Sequence, residues 1–126
     1  SAIPLREYKA EERILCYVLN RPDESAWVIE QIQPDAFPTP LYRQGLEAFA
    51  DSVKRQTSFS LSAMGDVLSD SEMGKLSGIS ARNQEIPVTA EEVKDCIRTL
   101  KNDMPSAIET DEDLLKLIQK KQHPDG

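Results

Sequence analysis

Apolar side chains recur along this chain at helical spacing almost from end to end, and no window alternates as a strand would. Between Tyr8 and Asn20, the residues Ile14, Leu15, Val18 and Leu19 make one apolar stripe. Glu11 and Glu12 lie near its N-terminus, where the helix dipole favours negative charge. Asn20-Arg21-Pro22 stops this helix. Asp23 is placed to cap a second one over Glu24 to Gln33, whose Trp27, Val28, Ile29 and Ile32 form a broad apolar face. Pro34 ends it.

A turn-rich stretch, Gln33 to Pro40, leads to Thr39-Pro40, which reads as N-cap and N1 of a third helix. That helix runs to about Arg55, with Tyr42, Leu46, Phe49 and Val53 on one side and Gly45 open to close approach by a neighbour. Residues 57–80 are Ser-rich and predict two short helices broken near Ser69-Asp70. Ala81 to Val88 is a polar loop. Thr89-Ala90-Glu91-Glu92 fits a capping box opening a helix with Val93, Cys96, Ile97 and Leu100 as its stripe. Met104-Pro105 breaks the pattern. A last helix is expected from Thr110 or Asp111 to Lys121, carrying Leu114, Leu115, Leu117 and Ile118. The fold class is all-α: a multi-helix bundle subdomain over 1–86, then 87–126 with a closing helix and a C-terminal hairpin or projecting helix, one domain overall.

Length and composition agree. The chain has 126 residues and 39% hydrophobic content, enough for a real core. No apolar run approaches the ~18 residues a membrane span needs, and no membrane partner is expected. Fifteen basic and 22 acidic residues leave a net charge of −7, which argues against direct nucleic-acid binding. Cys16 and Cys96, 80 residues apart on apolar stripes, read as buried free thiols of a reducing, cytoplasmic compartment.

The chemistry of a catalytic centre is missing. There is no phosphate-binding glycine motif, no zinc-ligand spacing, and a single His123 near the C-terminus. The carboxylate clusters Glu11/Glu12, Glu91/Glu92 and Asp111/Glu112/Asp113 each fall in an expected first helical turn, where capping and the dipole explain them. The aromatics sit at core spacing and do not interleave with Lys or Arg. The expectation is a non-enzymatic fragment without metal or cofactor. The last helix either packs on its own bundle or supplies Leu and Ile side chains to a partner's groove.

The first three helices resemble a known bundle. Glu11-Glu12-Arg13-Ile14-Leu15, then Pro34-Asp35-Ala36-Phe37, then Tyr42-Arg43 and Leu46 are similar to the helical domain shared by the C-terminus of DnaG-type DNA primases and the N-terminus of DnaB-type replicative helicases. Glu91 to Lys101 resembles the "L-x-D-C-I-x-x-L-K" helix that closes the primase bundle. Asp111 to Lys121 is similar to the primase terminal helix, "D-x-x-L-L-x-L-I-Q-x-K". One departure is Asn102-Asp103-Met104-Pro105, which interrupts the long charged helix usual in that family.

The resemblance implies the helicase-binding domain of a primase, the tail of a longer enzyme whose zinc and Toprim parts lie elsewhere. The opening Ser1-Ala2, without a methionine, fits an excised fragment. The implied partner is the hexameric replicative helicase, bound through its N-terminal domains at the cytoplasmic replication fork. The implied contact residues are Leu114, Leu115, Leu117, Ile118, Lys120 and Lys121. Other readings of the same pattern are the helicase's own N-terminal collar domain, or an unrelated all-α adaptor.

Overall fold

The computed structural model describes residues 3–101, and they form an all-α fold with no strand among them. Five α-helices follow in order: α1 (Leu5–Asn20), α2 (Ala26–Gln31), α3 (Pro40–Arg55), α4 (Asp70–Ala81) and α5 (Ala90–Lys101). Short 3₁₀ turns at Pro22–Glu24, Pro34–Ala36, Leu61–Met64 and Arg82–Gln84 join them. None of the helices among the described residues is long and apolar enough to cross a membrane.

Helix α1 is the hub. It packs against α3, α4 and α5, most extensively against α5. Five consecutive residues, Ile14 to Val18, are therefore buried, although the sequence pattern marks only one stripe. A helix enclosed on several sides needs small or apolar groups around most of its girth; Ala10, Cys16 and Tyr17 supply them where the stripe ends. From α5, Val93, Cys96, Ile97 and Leu100 enter the same core as Phe37, Leu46, Phe49, Leu76 and Ile79. A boundary after residue 86 thus separates chain segments that share one interior. Gly45 of α3 lies where an added methyl would meet Leu15 Cδ2 at 3.4 Å, the close approach its position suggests.

Several expected boundaries shift. Helix α1 starts at Leu5 rather than Tyr8, with the Tyr8 amide donating to the Pro4 carbonyl. Asp23 caps nothing: it sits inside the turn Pro22–Glu24, and α2 begins at Ala26 behind the buried Ser25, whose hydroxyl donates to the Arg21 carbonyl. Proline fixes φ at the start of the turn and favours this tight geometry over a helix from Glu24. Residues 61–64 form a 3₁₀ turn instead of an α-helix. The break at Ser69-Asp70 is real. Ser69 and Glu72 make a reciprocal capping box there, with bonds of 3.1 and 2.8 Å. Thr89 and Glu92 do the same for α5, the Glu92 amide donating to the Thr89 hydroxyl at 3.1 Å.

The largest departure concerns Glu11. Because α1 begins at Leu5, Glu11 lies in its second turn and serves another helix. Its carboxylate is wholly buried and accepts the Thr39 amide at 3.0 Å and the Thr39 hydroxyl at 2.7 Å. Thr39 occupies the N-cap position of α3, as its sequence context suggests, yet its hydroxyl caps nothing; it is given to Glu11. Arg43 closes the corner from the far side, donating from Nε to the Phe37 carbonyl at 2.9 Å.

Burial raises the Glu11 pKa, and the two Thr39 bonds oppose that rise. A carboxyl whose folded pKa lies above its unfolded value contributes stability below about 4.5 that is lost as pH climbs through the shifted value. Glu11→Gln preserves both contacts with Thr39, because the amide can accept from the Thr39 N–H and donate to its hydroxyl. Relative to wild type, it should therefore gain stability between pH 4 and pH 7. Glu11→Ala should cost about 2–3 kcal/mol by orphaning the Thr39 donors. Urea unfolding at both pH values measures each difference.

Candidate docking surface

The six residues expected to hold a partner, Leu114, Leu115, Leu117, Ile118, Lys120 and Lys121, lie outside the described residues. What the described residues offer begins with the face of α1 next to the Glu11 corner. Tyr42, buried on α3, gives its hydroxyl proton to Glu12 Oε2 at 2.7 Å. The Tyr8 hydroxyl lies 2.8 Å from that of Tyr42, with ring centroids 5.3 Å apart. One hydroxyl carries one proton, so Tyr42, which donates to Glu12, accepts from Tyr8. The other Glu12 oxygen takes the Arg82 Nη1 donor at 2.8 Å.

The relay Tyr8–Tyr42–Glu12–Arg82 thereby joins α1 to α3 and to the turn after α4. Burial, then the bonds to Tyr8 and Glu12, push the Tyr42 pKa strongly upward, and the phenol stays protonated. Sequence inspection assigns Glu12 to dipole stabilisation. Its partner Arg82 is 70 residues distant, and no short-range signal marks such a pair.

Beside the relay opens a cleft of about 280 Å³. One wall is the α1 stripe Lys9, Glu12, Arg13 and Cys16; the other includes Ile79 and Ile86. Ile86 is 75% exposed, a large apolar group left at the rim. The cleft mixes signs: Lys9, Arg13 and Arg82 face Glu12, Glu85 and Glu92. Among the described residues no group of three metal-ligating side chains stands together. A surface of this kind can hold a side chain or short segment of a partner.

The cysteines follow from the packing. Cys16 and Cys96 are free and buried, and burial raises both thiol pKa values, against partial relief from Arg82 at Cys16 and Arg13 at Cys96. Raised pKa and enclosure both suppress thiolate attack.

Two outcomes check this account. Tyr42→Phe should cost about 1.5–2 kcal/mol, because it strips a donor from a mostly buried carboxylate. Arg82→Ala should cost under about 1 kcal/mol, its side chain being 62% exposed; chemical denaturation ranks the two. Both thiols should react with an aromatic disulfide reagent only slowly in the native protein and promptly in denaturant. No family model, curated protein or solved structure matches this chain.

Proposed function

We propose that the chain is a protein-interaction module that brings a DNA primase to the replicative helicase during bacterial DNA replication, and so modulates primer synthesis and unwinding. The observation that carries this reading is the order of its sequence motifs: the Glu11 helix, the Phe37 corner, the Tyr42-Arg43 helix, the Asp95-Cys96-Ile97 closing helix and the Asp111–Lys121 stretch. Support comes from their physical coherence. Glu11, Phe37 and Arg43 meet at one corner through the Thr39 and Arg43 contacts, and Tyr42 reaches the neighbouring Glu12. The choice of primase over the helicase collar rests on Glu91–Lys101 and Asp111–Lys121, which have the primase spacing.

The mechanism is tethering. A modest contact raises the concentration of primase where unwound template emerges, without a need for high affinity. On this reading Leu114, Leu117 and Ile118 insert into the helicase's N-terminal domains, with Leu115 beside them. Lys120 and Lys121 serve as a polar margin.

Fluorescence anisotropy of the labelled chain with the hexameric helicase tests this. Leu114→Ala with Ile118→Ala should weaken binding by about tenfold or more, the effect of truncating central anchors in a small interface. Its helical circular dichroism should match wild type. Equal affinity in the folded double variant would remove the anchor from these residues. A wild-type chain that fails to bind the helicase at all would end the reading.

A further inference from the structure

A second, smaller cleft of about 200 Å³ lies between α2 and α5, lined by Trp27, Gln31, Lys94, Ile97, Arg98 and Lys101. Its composition is unlike the rest of the molecule. Three of its six lining residues are cations and none is an acid, in a chain whose net charge is −7. Lys94, Arg98 and Lys101 fall at i, i+4 and i+7 on α5, a stripe adjoining the one that enters the core. The Lys94 ammonium lies over the Trp27 ring, 5.9 Å from its centroid. Trp27 is half-buried and held by the edge of Tyr17 at 5.9 Å, and Arg21 sits over the Tyr17 ring at 5.6 Å. The cluster therefore joins a half-buried indole, the side chain of Ile97, an amide at Gln31 and a row of cations.

The cations are lightly committed. Lys94 meets Glu91 at 3.5 Å and Arg98 meets Asp95, both in solvent-exposed pairs that hold little energy. Lys101 has no ion pair among the described residues. An exposed lysine on a flexible stem can leave the indole when a better-matched flat group arrives.

The geometry points to a single-stranded nucleic-acid contact: one base against Trp27, with the flanking phosphates along Lys94, Arg98 and Lys101. Aromatic platforms joined to a cationic track are the general means of holding a single strand without sequence preference. A duplex keeps its bases stacked on one another and cannot offer one to the indole. The global acidity keeps the contact weak and confines it to this face, which is how it coexists with the absence of a general DNA-binding charge. Trp27 and the three α5 cations are 67 or more residues apart in sequence, so their juxtaposition exists only in the folded chain. The contact stands independently of any helicase partner.

Trp27 is the chain's single tryptophan and reports its own environment. Titration with a short oligothymidylate at low salt should quench its emission, with a Kd on the order of 10–100 μM, as befits a few phosphate contacts. The affinity should fall with salt at a log–log slope of about −2, the value for three phosphates on a single strand. Lys94→Ala, Arg98→Ala and Lys101→Ala together should abolish the quench while leaving the helical circular dichroism unchanged. By anisotropy of a labelled strand, Trp27→Ala should weaken binding about tenfold, and Trp27→Phe should recover part of it. Three results would overturn the assignment: no quench at low salt, equal binding by the triple variant, or equal competition by a polyglutamate of matched charge. Duplex binding as strong as single-strand binding would overturn it too, because stacking would then contribute nothing.

Discussion

A single buried carboxylate decides how the first half of this protein comes together. Glu11 is fully enclosed, and water is not there to solvate it. An ionised or neutral carboxyl in that setting costs free energy unless its oxygens are bonded. Thr39 bonds both of them, with its amide on one and its hydroxyl on the other. These contacts fix where α3 begins relative to the second turn of α1, and Arg43 then holds the Phe37 carbonyl so that the corner cannot unwind. Phe37 is completely buried as a consequence. An apolar pair at the same place would give comparable burial without direction; two short bonds to one residue specify a register.

The register matters because α1 is enclosed on several sides. A hub helix with five consecutive buried residues can satisfy its neighbours in only one rotation, since each side meets a different helix. Polar ties set at the ends of those neighbours maintain that rotation. Asn20 Nδ2 donates to the Ser80 carbonyl at 2.9 Å, joining the last residue of α1 to the end of α4. Glu12, midway along α1, ties Tyr42 and Arg82. These ties are worth little singly, but each excludes a rotated or slipped packing that would bury similar apolar area.

How much of this is visible in the sequence depends on the range of the interaction. The all-α class follows from apolar spacing within a few turns, and the limits of α3 and the break before α4 follow from local signals: Pro40, Arg55 and Ser69-Asp70. The capping box at Thr89 is legible because its two partners are three residues apart. By contrast, Glu11 and Thr39 are separated by 28 residues, and Glu12 and Arg82 by 70. Local reasoning gives these carboxylates to the dipole of their own helix, whereas Glu11 serves the start of α3 and Glu12 the side chains of Tyr42 and Arg82. The Ser69–Glu72 box has the same local signature as the one at Thr89, in a Ser-rich stretch where it is easily overlooked. The cation-lined cleft is invisible for a different reason: Trp27 looks like core because it has core spacing, and only the fold shows that it lines a cleft with Lys94 and Arg98.

The same fold separates two kinds of polar group. Carboxylates such as Glu11 and Glu12 turn inward to the corner and the relay, where each accepts two specific bonds. Cations such as Lys94 and Arg98 remain outside on α5, in pairs that solvent screens, with Lys101 on the same stripe. The inward acids cannot be exchanged without disturbing helix register, whereas the outward cations can change partners at little cost. Structural specificity and surface reactivity thus depend on different residues. A contact made through the α5 cations is therefore free to be weak and reversible while the bundle beneath it keeps one packing.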